Sequence, residues 1–255
     1  MKRRYVLMFV GLACVAFLMA AAVARANDIP GVPIPASPVQ GYLDNSNWSG
    51  LHVDDVYSVS MRVGDRLHLV LNAASSTNGY YFVQLFAPGS MGVTATKPLA
   101  ATSYGSYPQT LDYTATVAGL YYVDVEVKYS DPEENTFGLD NDVAGAYSLA
   151  WSCMSPTMAV ITTRTHTVHA GSSVAVSGAL KHGVDGTGIA HAVMLLQSSP
   201  NGTSWSKVST ATTNATGGFT FKVKATRSRY YHAVFAGTSS LIASKSISIR
   251  IKTRH

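Results

Sequence analysis

Five carboxylates and two amides fall within the twelve positions from Asp131 to Asp142: Asp131, Glu133, Glu134, Asn135, Asp140, Asn141 and Asp142. Clustered oxygen ligands suit Ca²⁺, a hard cation that takes about six to eight of them. Asp131, Glu133, Glu134, Asp140 and Asp142 are therefore the candidate metal ligands, and calcium is the candidate cofactor. Their spacing is not that of an EF-hand loop, and a solvated acidic loop is the alternative. A second group is aromatic. Tyr81, Tyr104 and Tyr107 can stack on sugar rings or on a protein partner. Tyr80 and Tyr81 are adjacent, so on a strand they point to opposite faces and at most one is core. Packing over the core is the alternative role for these rings. A third group is cationic: Lys222, Lys224, Arg227 and Arg229 lie close together, and Lys222 and Lys224 share one face if they are on a strand. With Arg250, Lys252 and Arg254 they form a candidate basic patch for anionic cell-wall polymers, phospholipid headgroups or acidic polysaccharide. Nucleic acid is not an expected partner.

Catalytic patterns are missing from the sequence. It contains no Gly-x-Ser-x-Gly elbow, no His-Glu-x-x-His pair, no phosphate-cradling Gly-rich loop ending in Lys, and no Cys-x-x-Cys. His166 and His169 are three apart, which on a strand puts them on opposite faces, so they cannot chelate jointly. The expectation is a chain that is not an enzyme. The rivals are an accessory subunit of a secreted peptidase and a hydrolase with an unrecognised site.

The elements that must position these groups begin after an export signal. Lys2, Arg3 and Arg4 precede an uncharged apolar run from Tyr5 to Val23, and Ala24-Arg25-Ala26 then supplies small residues where a signal peptidase reads. Residues 1–26 read as a signal peptide; an uncleaved membrane anchor is the alternative. Cleavage would leave no stable transmembrane span, and the expected location is extracellular or at the cell surface. Cys153 is then the only thiol of the mature chain, so the fold must depend on its hydrophobic cores. It reads as a small apolar residue ending a strand.

The net charge of +5 hides a division. Residues 27–153 hold 4 basic and 13 acidic side chains, whereas residues 154–255 hold 11 basic and 1 acidic. That step marks a boundary near Cys153–Thr157, where Ser155-Pro156 also interrupts any strand. Opposite charges of this size should also draw the two parts together at low salt.

Residues 27–50 read as an extended lead-in, either mobile or laid along the first module, because Pro30, Pro33, Pro35 and Pro38 exclude helix. Period-two alternation follows on both sides of the boundary. Leu67, Leu69 and Leu71 line one face of a strand, and Tyr121, Val123, Val125 and Val127 line one face of another. Beyond the boundary, strands are expected at Met158–Thr163, Ser173–Leu180, Ala190–Ser198, Ser204–Thr213, Gly217–Ala225, Arg229–Ala236 and Ser244–Lys252. The fold class is all-β, with two consecutive β-sandwich domains at 51–153 and 157–253.

The first module carries Asp55-Val56-Tyr57-Ser58-Val59, Val63-Gly64-Asp65-Arg66-Leu67, Leu111-Asp112-Tyr113-Thr114-Ala115, Ala118-Gly119-Leu120-Tyr121-Tyr122-Val123-Asp124-Val125 and Gly145-Ala146-Tyr147-Ser148-Leu149. These stretches resemble the bacterial pre-peptidase C-terminal domain. The resemblance implies a jelly-roll-like sandwich accessory to secreted proteins. The second module carries Ala170-Gly171-Ser172-Ser173-Val174-Ala175-Val176-Ser177-Gly178, Val193 to Gln197, Trp205, Val208, Gly217-Gly218-Phe219-Thr220-Phe221 and Tyr230 to Gly237. It resembles the bacterial Ig-like modules of secreted actinobacterial-type proteins, which implies a spacer or ligand-presenting unit. Together these readings predict an exported, non-catalytic binding or structural protein that contacts polysaccharide, cell wall or a protein partner.

Overall fold

The computed structural model describes residues 28–44, 54–73, 79–103, 106–129 and 144–254, and among them the regular structure is strand. Among its described residues the first module has nine strands: β1 (Val32–Pro33), β2 (Val39–Asp44), β3 (Asp54–Met61), β4 (Arg66–Ala73), β5 (Gly79–Phe86), β6 (Ala100–Ala101), β7 (Gln109–Thr114), β8 (Gly119–Tyr129) and β9 (Ala144–Met154). One sheet runs β1-β3-β8-β5-β6 and the other β2-β9-β4-β7. The alternating residues of β4 and β8 face inward as their pattern requires. Leu67, Leu69, Leu71, Tyr121, Val123, Val125 and Val127 share one core with Val39, Leu43, Tyr81, Tyr147 and Leu149. Each such side chain contributes about 1.5–3 kcal/mol by leaving water.

The lead-in lies along the first module and supplies an edge strand to each sheet of its sandwich. β1 pairs with β3 in parallel, and β2 pairs with β9. The chain crosses between the sheets at Pro35–Pro38, where Trp151 donates its indole N–H to the Pro35 carbonyl at 2.8 Å and its backbone N–H to Ser37 Oγ at 2.8 Å. Prolines are compatible with this because an edge strand has backbone N–H positions that join no ladder. Gly41 is required where β2 crosses β9, since a Cβ there would run into the Tyr147 ring.

The second module also has nine strands: β10 (Thr157–Thr162), β11 (Thr167–His169), β12 (Ser172–His182), β13 (Val193–Ser199), β14 (Ser206–Thr212), β15 (Gly218–Ala225), β16 (Arg229–Phe235), β17 (Ser244–Lys245) and β18 (Ile249–Arg254). The sheet β10-β12-β15 packs on the sheet β11-β18-β16-β13-β14, with β17 also on β16. Val174, Val176, Leu196, Phe221, Tyr231, Phe235 and Ile251 lie in the core between them. The strand expected at Ser244–Lys252 is divided. Ser246 accepts from Ala233 N–H through Oγ and donates to the Ile247 carbonyl, which turns Ile247 out to solvent between β17 and β18. The modules meet where β9 ends and β10 begins.

Candidate functional site

The Asp131–Asp142 loop and Tyr104 lie outside the described residues. In the first module, on the side of the sheet turned away from the main core, β3 and β8 place Asp54 opposite Glu126 and Val56 opposite Asp124. One ligand atom from each of Asp54, Asp124 and Glu126 lies within 4.8 Å of the others, and Gln84 donates its amide N–H to Glu126 Oε2 at 2.6 Å. The sequence reading missed this trio because strand register, not chain proximity, brings the carboxylates together. Asp124 is fully buried in this trio, and Asp54 and Glu126 are half-buried.

Two of the three candidate tyrosines can be placed. Tyr81 is buried, with its hydroxyl donating to the Gly145 carbonyl at 2.9 Å. That corrects its expected role, because a core ring cannot meet a ligand. Tyr107 is half-buried and latched to β5. Its hydroxyl accepts from Tyr81 N–H at 2.8 Å and donates to the Tyr81 carbonyl at 3.2 Å. Cys153 is half-buried on β9, and burial, with Asp65 nearby, pushes its thiol up to about 11. At neutral pH it is therefore protonated and a poor nucleophile.

On the outer face of the second sheet, Asp112, His68 and Ser152 stand in one row across β7, β4 and β9. His68 Nδ1 lies 2.7 Å from Asp112 Oδ1. The row is open to water, with the His68 and Asp112 side chains 49% and 73% exposed. In that setting the pair is worth only about 0–1 kcal/mol and does little to orient the ring.

The expected basic residues fall into two groups. Lys222 and Lys224 are exposed on one face of β15, as alternation requires, whereas Arg227 is in the following turn and Arg229 opens β16 in the opposite sheet. They do not form a single flat patch. His166 and His169 are both exposed.

A denser constellation covers the outer face of the larger second-module sheet. Residues directly opposite on paired strands share a face. The pairs Gln197–His232, Ser199–Tyr230 and Leu195–Val234 therefore point outward, since their neighbours Leu196, Ala233 and Tyr231 are core. Tyr230 lies opposite Arg250, whose guanidinium carbon is 5.2 Å above the ring centroid. Val234 lies opposite Lys245. A register shift between Leu196 and Gln197 brings Lys207 opposite Gln197. The chain entering β14 lays the Trp205 indole on the His232 imidazole at 3.6 Å and 22°. His232 is buried beneath it, with Nε2 2.7 Å from Gln197 Oε1. Burial first, and the Lys245 charge second, hold this histidine below its usual pKa. It is therefore neutral at pH 7, donating from Nε2 to the amide oxygen. Sequence reading picked out neither Trp205, His232 nor Tyr230 as a site, because five separate elements, β13, β14, β16, β17 and β18, contribute the pieces.

No family model and no curated protein matches the chain. Similar solved structures include PliG, a periplasmic inhibitor of g-type lysozyme from Aeromonas hydrophila, at 15% identity and TM-score 0.35, covering 49% of this chain and 96% of that one. The D0-D1 domain of intimin is 11% identical with TM-score 0.28, covering 84% of this chain and 100% of that one. The glycoside hydrolase domain of Endo-D from Streptococcus pneumoniae is 10% identical with TM-score 0.27, covering 83% of this chain and 33% of that one. At these scores the likenesses carry no argument about function. The all-β class rests on the sheets themselves. Among the described residues no helix is long and apolar enough to cross a membrane.

Proposed function

We propose that the chain is exported and works at the cell surface or in the extracellular space as a non-catalytic binding protein. In this reading its basic module faces an anionic envelope polymer and its acidic module faces a ligand. The resemblances to the pre-peptidase C-terminal domain and to bacterial Ig-like modules belong to the same proposal. The observation that carries it is how the charges are disposed. Lys207, Lys245, Arg250, Lys252 and Arg254 are all exposed, and the only acidic residue between positions 154 and 255, Asp185, faces Arg62 of the first module. A surface with cations of one sign and no internal counter-charge concentrates anionic partners.

The test is fractionation of cells producing the whole chain, followed by sedimentation of the purified mature protein with isolated envelope. The expected result is a mature N-terminus at Asn27 and salt-reversible co-sedimentation. Retention in the cytosol, or ester or peptide hydrolysis abolished by Ser152→Ala, would overturn the proposal. Calcium at Asp131, Glu133, Glu134, Asp140 and Asp142 is retained as part of it. Added Ca²⁺ is expected to raise the melting temperature, and the rise is expected to vanish in the Asp140→Ala, Asp142→Ala double variant. An unchanged melting curve removes calcium from the account.

A further inference from the structure

The aromatic and cationic groups on the outer face of β18-β16-β13-β14 are arranged in a way that mere solvation of charge does not need. An exposed lysine needs no ring beneath it. Here the Arg250 guanidinium lies over the Tyr230 ring, which keeps its N–H donors near the sheet surface. Trp205, a large apolar ring, is half-buried and spread over the sheet by its stack on His232. The Gln197 hydrogen bond and the low pKa of His232 keep that support neutral, so the stack does not place a charge beneath the indole. Lys207 and Lys245 stand across from Gln197 and Val234 on either side of this platform. Lys252 and Arg254 continue the Arg250 side of β18. Neighbouring strands are about 4.8 Å apart, so ring and cations lie within the footprint of a few sugar units.

Building on the envelope-binding reading, we infer that this sheet face is a binding site for an acidic polysaccharide. The C–H face of a pyranose stacks on Trp205, and its carboxylate or sulfate groups are held by Arg250, Lys245 and Lys207. A neutral glycan satisfies the indole but leaves the cations without a counter-charge. A bare polyanion satisfies the cations but leaves the indole unused. A charged sugar satisfies both. Arg250 can bind a carboxylate or a sulfate through two parallel N–H bonds. The surrounding lysines act through space and weaken with salt.

The experiment is calorimetric titration of the purified protein with oligomers of polygalacturonate and of heparin, with dextran oligomers of equal length, and with a single-stranded DNA of matched charge. At least one acidic polysaccharide is expected to bind, more weakly as salt rises, with dextran and DNA weaker by about tenfold or more. Trp205→Ala, and separately the Lys245→Gln, Arg250→Gln pair, are each expected to weaken binding about tenfold. The exposed Lys222→Gln, Lys224→Gln pair on the opposite sheet controls for bulk charge and is expected to leave it unchanged. Circular dichroism melts show whether each variant is folded; the Lys245/Arg250 pair is exposed and gives a readout even if Trp205→Ala unfolds. Equal loss in the Lys222/Lys224 variant, equal affinity for DNA, or no binding of either acidic polysaccharide overturns the site. If the wild-type protein still sediments with envelope in that case, only this inference falls. If it does not, the envelope-binding proposal falls as well.

Discussion

Asp55 is buried among apolar neighbours in the first core, at 1% exposure. The Tyr147 hydroxyl donates to its Oδ2 at 2.7 Å, and the Tyr57 hydroxyl lies 2.6 Å from that of Tyr147, so the donors line up toward the carboxylate. A charge so placed is tolerated only when it is hydrogen-bonded. Burial first, then the Asp55 charge, then Tyr57, raise the Tyr147 phenol far above its ordinary value of about 10. The sign follows from proton linkage. The folded protein keeps this proton at pH values where the unfolded chain releases it. Its contribution to stability is full below about pH 10 and is lost as pH rises above that. Tyr147→Phe is expected to lower stability by about 1–3 kcal/mol near neutrality. It is also expected to reduce the further loss of stability above about pH 10. Urea unfolding at neutral and alkaline pH checks both. Equal midpoints for the two proteins at neutral pH would show that the hydroxyl does not help hold Asp55.

At the scale of elements, inner-face alternation was legible in β4, which buries one face, and in β8, where Tyr122 and Asp124 of the other face are buried as well. The leucines of β4 and the apolar positions of β8 were assigned to the core from period two alone, and they are there. The strand pairing of the lead-in was not legible, because its prolines dominate the local pattern and β9, the partner of β2, lies at the far end of the module. The trio Asp54, Asp124 and Glu126 and the face around Trp205 were hidden for the same reason. Register brings their members together, and in the second case the shift at Leu196–Gln197 sets the register. The lysines of β15 were legible because both sit on one strand. The status of β2 as a core strand gives a quantitative test. Leu43 is fully buried, so Leu43→Ala is expected to cost about 2–5 kcal/mol, on the scale of Leu69→Ala in central β4. A segment lying loosely on the surface would lose less than about 0.5 kcal/mol. Denaturant midpoints of the two variants decide between these.

For the molecule as a whole, the joint sorts the charges. Arg62 belongs to the module with few cations, and Asp185 is the one acidic residue of the other. Arg62 Nη1 lies 3.5 Å from Asp185 Oδ2 and donates to Thr187 Oγ1 at 3.2 Å. The Asp185 carboxyl is held below its usual range by the Thr187 hydroxyl and backbone N–H first, and by Arg62 less strongly. One minority charge from each module, Arg62 from the first and Asp185 from the second, is therefore placed against the other module. This exposed ion pair orients more than it holds. The stronger tie is Asp65, which is buried. It accepts from Arg62 N–H at 2.8 Å and from the Ser155 hydroxyl at 2.6 Å, and so fixes the turn of one module to the strand link of the other. Gly64, at φ +85°, lets that turn sit against Val184. Arg62→Ala is thus expected to leave the melting temperature almost unchanged. Asp65→Ala is expected to cost about 1–3 kcal/mol and to divide a single calorimetric transition into two, with a larger radius of gyration in solution scattering. Two resolved transitions in the unaltered protein would mean that the modules melt independently despite the joint. The basic face would then be free to swing relative to the acidic module, and would not be presented at a fixed angle to it.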